Sequence, residues 1–207
     1  MGKPDFRLER DFLKQGIWPV AGIDEAGRGP LAGPVAAAAV ILDPANVPRG
    51  LNDSKQLTGE AREELYKEII RNACAVAVGF ASAAEIDEVN IRQATFLAMR
   101  RALMGLSSPP RRLLIDGNDP PPGLYLSTQS IIKGDAVVAS IAAASIIAKV
   151  TRDRVMRRMC AHYPAYRFSE HFGYATKAHL AAIRSYGACP VHRLSFRPFL
   201  NEGEAIS

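Results

Sequence analysis

Only three cysteines occur in the 207 residues, Cys74, Cys160 and Cys189, an odd number with no C-x-x-C pair. That excludes a disulfide framework and a zinc ribbon, and the thiols read as reduced and packed. Long apolar runs are missing too. The longest uncharged apolar stretch, Ala136 to Ala148, has 13 residues and is rich in Ala and Ser, short of the ~20 that cross a bilayer. Met1 leads into a charged stretch, with Phe6 where myristoylation wants Ser or Thr, so neither a secretory leader nor a lipid anchor is expected. These absences predict a cytoplasmic protein with no membrane partner. There is also no G-K-[ST] phosphate loop, no Ser/His/Asp signature and no repeat.

What is present is globular in kind, with 48% hydrophobic and 23% charged residues. At ~150 residues per domain, residues 1–207 are expected to form one domain. The charge is unevenly placed. Residues 149–198 hold ten Lys and Arg against two acids, a surplus of eight in a chain whose total is +5, so the remainder is mildly acidic at −3. All four histidines, His162, His171, His179 and His192, lie in the same basic part. Such a segment is either a solvated helix face or the footprint of a polyanion binder, and charge alone leaves both open.

Two short apolar runs, Trp18 to Ile23 and Val35 to Leu42, read as strands joined by a Gly/Pro-rich turn. Thr58 ahead of an acidic first turn predicts a capped helix to about Asn72. Cys74 to Ser82 reads as a strand, and Ile86 to Gly105 as an amphipathic helix closed by Pro109-Pro110. Arg112 to Ile115 is a short strand, and Leu124 to Ile132 one or two more. A long helix is expected from Ala136 to about His162. Its first half is buried, and Lys149, Arg152, Arg154, Arg157 and Arg158 of its second half are expected in solvent. Thr176 opens a last helix to about Tyr186. Strands followed by strand–helix alternation indicate an α/β fold with a mixed sheet.

Four carboxylates sit at strand or helix ends in apolar surroundings. Asp24 and Glu25 follow Ala21-Gly22-Ile23, Asp116 follows Leu113-Leu114-Ile115, and Asp135 follows Ile131-Ile132-Lys133-Gly134. Singly, each has a plain structural account: an N-cap for Asp135, a turn for Asp116, a solvated strand end for the pair. Together they fit a cluster selecting hard cations such as Mg²⁺ or Mn²⁺, because charges entering a core are costly unless paired or metal-bound. Glu25 can join Asp24 only where the strand ends or bulges, since neighbours on a regular strand face opposite ways. The loop Gly27 to Pro34 reads G-x-G-x-x-x-G, which is not the dinucleotide pattern. It is either a tight turn or a backbone able to approach a sugar edge and its 2′-OH.

The blocks that follow one another here are G-I-D-E-A-G-R-G-P-L-A-G-P-V from Gly22, D-S-K-Q-L from Asp53, I-D-G from Ile115 and K-G-D from Lys133, then A-A-S-I-I-A-K-V-T-R-D from Ala143, G-Y-A-T from Gly173 and H-R-L-S-F from His192. In order, spacing and wording they closely resemble the bacterial ribonuclease HII family, over about Trp18 to Pro198. The resemblance implies a ribonuclease-H-like mixed β-sheet flanked by helices, with a small C-terminal helical extension over residues 149–198 and a tail at 199–207. It implies hydrolysis of the RNA strand of RNA/DNA hybrids and nicking of duplex DNA 5′ to an embedded ribonucleotide. Two metal ions, Mn²⁺ or Mg²⁺, would serve, and the ends would be 3′-OH and 5′-phosphate.

By motif position, Asp24, Glu25, Asp116 and Asp135 would hold the metal. Gly27, Arg28 and Gly29 would read the ribose, and Tyr174 would pack on the sugar at the RNA-to-DNA junction. Lys55, Lys149 and Arg152 are expected to contact phosphates, and the protein is expected to be monomeric. One departure from the family pattern is Phe172, standing where many members carry Lys. The sister family, ribonuclease HIII, usually has Lys in the glycine loop and a large N-terminal domain. Arg28, and only about 17 residues before the first strand, agree with HII instead.

Overall fold

The structure is a computed structural model in which residues 3–124 and 126–199 are described. Five strands form one sheet in the order β3-β2-β1-β4-β5: β1 Val20–Ala26, β2 Val35–Ile41, β3 Ala75–Ala81, β4 Arg112–Asp116 and β5 Ser127–Ile131. β1, β2 and β3 run antiparallel, with Asp24 opposite Ala38 and Glu25 opposite Ala37. β4 lies parallel to β1 and β5 parallel to β4. The sheet is therefore mixed, and β1 and β4, which end in Asp24-Glu25-Ala26 and Asp116, are neighbours at its centre.

β2 (Val-Ala-Ala-Ala-Ala-Val-Ile) is buried along its whole length, and its small side chains let helices pack closely on both faces. α3 Ala83–Met104 covers one face, where Ala21, Ile23, Val35, Phe96 and Ile115 share a core. α4 Ala139–His162 and α2 Gly59–Asn72 cover the other, around Val40, Ile69, Ile146 and Ile147. Thr58 caps α2 through the Ala61 N–H at 3.2 Å, as its sequence predicts. α3 opens with a Ser82/Glu85 capping box.

α4 begins three residues later than the sequence suggests. Gly134–Ala136 forms a separate 3₁₀ turn, and Val138 is the N-cap of α4 without a side-chain bond. That cap is supplied from far away. A short N-terminal helix not expected from the sequence, α1 Arg7–Lys14, buries Glu9, whose Oε1 accepts the Ser140 N–H at 2.8 Å. The C-terminal part, α5 Phe168–His171 and α6 Lys177–Tyr186, forms its own core with Leu31, Met156, Tyr166 and Phe199. Phe199, expected in the tail, is thus a buried residue, and the rest of that tail lies outside the described residues.

Candidate active site

The centre of the sheet delivers three carboxylates to one point. Oxygens of Asp24, Asp116 and Asp135 lie within 4.8 Å of one another. Asp24 is buried, Asp135 almost so and Asp116 half-buried. Asp24 Oδ1 accepts the Glu25 N–H at 2.7 Å, and Asp116 Oδ1 accepts the Gly134 N–H at 2.6 Å. The second bond brings the 3₁₀ turn, and Asp135 with it, against the end of β4. Asp135 therefore does not cap α4, and the cluster account replaces the capping one.

Glu25 does not converge with them. β1 keeps its register through Ala26 without a bulge, and Glu25 stays outside the 4.8 Å group, pairing with Arg28 at 3.2 Å while lining the same cleft as Asp24. It shares with Asp116 a depression on the α3 side. Burial pushes the Asp24 carboxyl well above its ordinary pKa, and the charges of Glu25, Asp116 and Asp135 push it further. Burial, then Asp116 and Asp53, raise Asp135 to about 6. Burial raises Glu25 as well, with Arg28 opposing. A trio of like charges in a low dielectric is unstable as anions unless a cation neutralises it. Its all-oxygen donor set is that of a hard divalent ion.

A cleft leads away from this trio, lined by Asp24, Arg28, Gly29, Lys55, Lys149 and Tyr174. Burial works to lower the Lys55 ammonium, and Asp53, Asp24, Asp135 and Asp116 outweigh it, leaving its pKa above the usual value. The loop bearing Lys55 is fastened to α4 by the buried Ser54–Ser145 hydroxyl bond at 2.8 Å, a pair not singled out in the sequence. Tyr174 is 44% exposed beside Gly29, so it is no core tyrosine. Lys149 pairs with Asp153 at 2.8 Å, and its ammonium lies 5.1 Å from the Phe172 ring and 5.9 Å from the Tyr174 ring. Arg157 lies over the Phe172 ring at 5.4 Å. Two cations, Lys149 and Arg157, thus flank the Phe172 ring.

Arg152 is not the exposed phosphate contact its sequence suggests. It is 1% exposed, not in solvent, and cannot touch a phosphate from its place beneath the glycine loop. Its Nε donates to the Pro34 carbonyl at 2.9 Å, Nη2 to Ala32 at 3.1 Å and Nη1 to Phe172 at 3.1 Å. Helical spacing places it with exposed neighbours, but two of the three carbonyls it satisfies are 118 and 120 residues away. The first two glycines of the loop differ for the same reason. Gly27 has φ +93°, and a Cβ there would overlap the Arg152 side chain, whereas a Cβ on Gly29 would meet only Tyr174 Cε1 at 4.0 Å.

The family profile described as Ribonuclease HII matches residues 21–198. The chain belongs to the ribonuclease HII family. It is 57% identical over 196 residues to Ribonuclease HII of Sinorhizobium medicae, covering 95% of this chain and 90% of that relative. Among solved structures it is similar to the ribonuclease H2 of Pyrococcus horikoshii OT3, with a TM-score of 0.74, 29% identity, and 90% and 97% of the two chains covered. The fold alone is shared with Bst-RNase HIII in complex with Mn²⁺, at TM-score 0.68 and 21% identity over 90% of this chain and 69% of that one. As a ribonuclease HII, the chain is a hydrolase of the ribonuclease H type, an endonuclease. Its matched span includes the whole acidic trio, the glycine loop and the C-terminal helices that hold the loop.

Proposed function

We propose that this ribonuclease HII cuts duplex DNA 5′ to a single embedded ribonucleotide as well as the RNA strand of RNA/DNA hybrids, with divalent cations held by Asp24, Asp116 and Asp135. The observation that carries this reading is the adjacency of two parts: an acidic trio suited to hard cations and, in the same cleft, an exposed backbone loop facing Tyr174. When bound, Mg²⁺ or Mn²⁺ supplies an activated water and charge neutralisation at the scissile phosphate. Arg28 and Gly29 present backbone to the sugar, and Tyr174 offers a ring face to the next one. Lys55 and Lys149 line the same cleft and would contact its phosphates. Arg157, Arg158, Lys177 and Arg184 are exposed and add attraction for the backbone that carries no sequence information.

The test is a DNA duplex with one ribonucleotide, incubated with Mg²⁺, with Mn²⁺ and with EDTA. Cleavage 5′ to the ribonucleotide in both cations, giving 3′-OH and 5′-phosphate, and none in EDTA, is expected. Cleavage of the all-DNA duplex at the same rate, or cleavage surviving EDTA, defeats the reading.

A further inference from the structure

A second arginine lies beneath the glycine loop, and like Arg152 it meets no carboxylate among the described residues. Arg193 is 0% exposed. Its Nη2 donates to the Gly27 carbonyl at 2.6 Å, Nη1 to the Arg28 carbonyl at 2.9 Å and Nε to the Gly33 carbonyl at 2.9 Å. A guanidinium is suited to this because its N–H groups lie in one rigid plane and it is weakly hydrated, so it can be buried against several converging carbonyls. The neighbouring backbone adds to the hold: Arg193 N–H donates to the Leu31 carbonyl at 2.8 Å, and Gly33 N–H to the Val191 carbonyl at 2.8 Å.

The direction of those carbonyls decides what the loop offers to the cleft. Both peptides, Gly27–Arg28 and Arg28–Gly29, are trans, so each N–H points opposite to its carbonyl. With the Gly27 and Arg28 carbonyls drawn inward onto Arg193, the Arg28 and Gly29 N–H groups are turned outward. Neither donates to any acceptor among the described residues, and both residues line the cleft beside Asp24 and Tyr174. Two adjacent amide donors, fixed before substrate arrives, are what an oxygen on a sugar edge needs.

We infer that Arg193 is a positioning residue for the reaction, aiming the Arg28 and Gly29 N–H groups at the ribose 2′-oxygen of the target nucleotide. This rests on the ribonucleotide-directed reading above. The guanidinium never touches substrate and acts only through the two peptide planes, so its removal leaves phosphate contacts in place while the sugar is held less accurately. Misplacement of this kind costs on the order of a hundredfold in rate. Binding, carried by phosphates, changes by no more than about threefold.

The experiment compares the wild type with Arg193→Lys and Arg193→Gln on the single-ribonucleotide duplex. It reads kcat with Mg²⁺, duplex affinity in EDTA and the melting temperature. Failure of the wild type to cut at the ribonucleotide defeats the underlying reading and says nothing against Arg193. Given wild-type cleavage, the expected result is a fall in kcat of about a hundredfold in both folded variants, with affinity nearly kept. Arg193→Lys, which keeps the charge and loses the planar fork, does not rescue. Wild-type kcat in Arg193→Lys, or a loss wholly in affinity, overturns the inference. If both variants fail to fold, amide resonances of the wild type in EDTA decide. The Arg28 and Gly29 N–H signals move on adding the ribonucleotide duplex and not the all-DNA one, and equal movement with both overturns the inference.

Discussion

His179 and His192 face each other through their Nε2 atoms at 3.0 Å, and the backbone on either side dictates where the protons lie. The Cys189 N–H donates to His192 Nδ1 at 2.9 Å. His192 must then carry its proton on Nε2 and give it to His179 Nε2. His179 in turn carries its proton on Nδ1 and donates to the Tyr174 carbonyl at 2.9 Å. His171, stacked on His179 with ring centroids 4.4 Å apart, accepts the Gly173 N–H on Nδ1 at 3.2 Å. The hydrogen-bonded His179–His192 pair, with His171 stacked on it, thus holds the segment that presents Tyr174.

A proton added to this chain places two N–H groups nose to nose. Burial lowers His192 to about 4, with His179 and His171 contributing, and burial lowers His179 as well. The unfolded chain, at 6.5, therefore binds more protons than the native one across the interval from about 4 to 6.5. The stability these groups give is complete above 6.5 and is lost as pH falls through that interval. In EDTA, His192→Asn, which keeps an acceptor for the Cys189 N–H, is expected to gain less in melting temperature than wild type, or to lose more, as pH rises over this range, the acidic trio acting equally on both. An unchanged slope in the variant contradicts the proton order.

Asp135 works in the opposite sense. Its carboxyl titrates at about 6 in the fold against 3.8 when free, so the native state holds the extra proton. That contribution is full below 3.8 and is lost as pH rises through 6. Asp135→Asn is expected to raise the melting temperature in EDTA at pH 7.5 and to leave it unchanged near pH 3.5. A lower melting temperature at pH 7.5 argues that the carboxylate is a structural partner.

Asp24→Asn and Asp116→Asn keep the Oδ1 that accepts the Glu25 and Gly134 N–H groups while removing one charge from the trio. Both variants are expected to be as stable as wild type or more so without metal, and to lose at least about a hundredfold in cleavage. The same proteins serve for calorimetry and for gel assays. Retained turnover in either rules out its role as a metal ligand.

The glycines of the loop separate folding from reading. Gly27→Ala forces a side chain into Arg152 at a positive φ and is expected to cost about 2 kcal/mol or more in denaturant unfolding. Gly29→Ala has room and is expected to unfold like wild type, yet its methyl stands in the cleft before Tyr174 and slows cutting at a ribonucleotide. Equal stability losses in both contradict this division.

Tyr174 is half in solvent, so truncating it changes stability little. Tyr174→Ala is expected to lose cleavage at an isolated ribonucleotide by more than it loses affinity for the duplex, and Tyr174→Phe, which keeps the ring, to stay close to wild type. Equal losses in the two variants assign the effect to the hydroxyl.

The parts of this protein legible in its sequence are those fixed by local chemistry. Thr58 and Thr176 each cap the helix they precede. Asp24 and Asp116 betray themselves as charges closing apolar strands. What was not legible depends on distant partners. α1 is short and charged, and exists as a helix because Glu9 is needed at Ser140, 131 residues away. Arg152 and Arg193 look like surface cations in any window of sequence, since five of the six carbonyls they bond belong to a turn more than a hundred residues earlier. Glu25 follows Asp24 directly in the chain, but on an unbroken strand it pairs with Arg28 instead of joining the trio.

α4 acts as a ruler across the whole cleft. It leaves the turn that carries Asp135, lies so close on β1 that a Cβ at Gly22 would collide with the Ser140 backbone, and within about 20 Å of its start carries Ser145, Lys149 and Arg152. Each touches a different wall: the Lys55 loop, the Tyr174 side and the underside of the glycine loop. The rod is pressed onto the strand that holds Asp24, so these walls keep a fixed distance from the metal ligands. The helix cannot tilt away from β1 without pulling the acidic centre apart. The element that brings the acidic centre together thus also fixes the width of the cleft beside it.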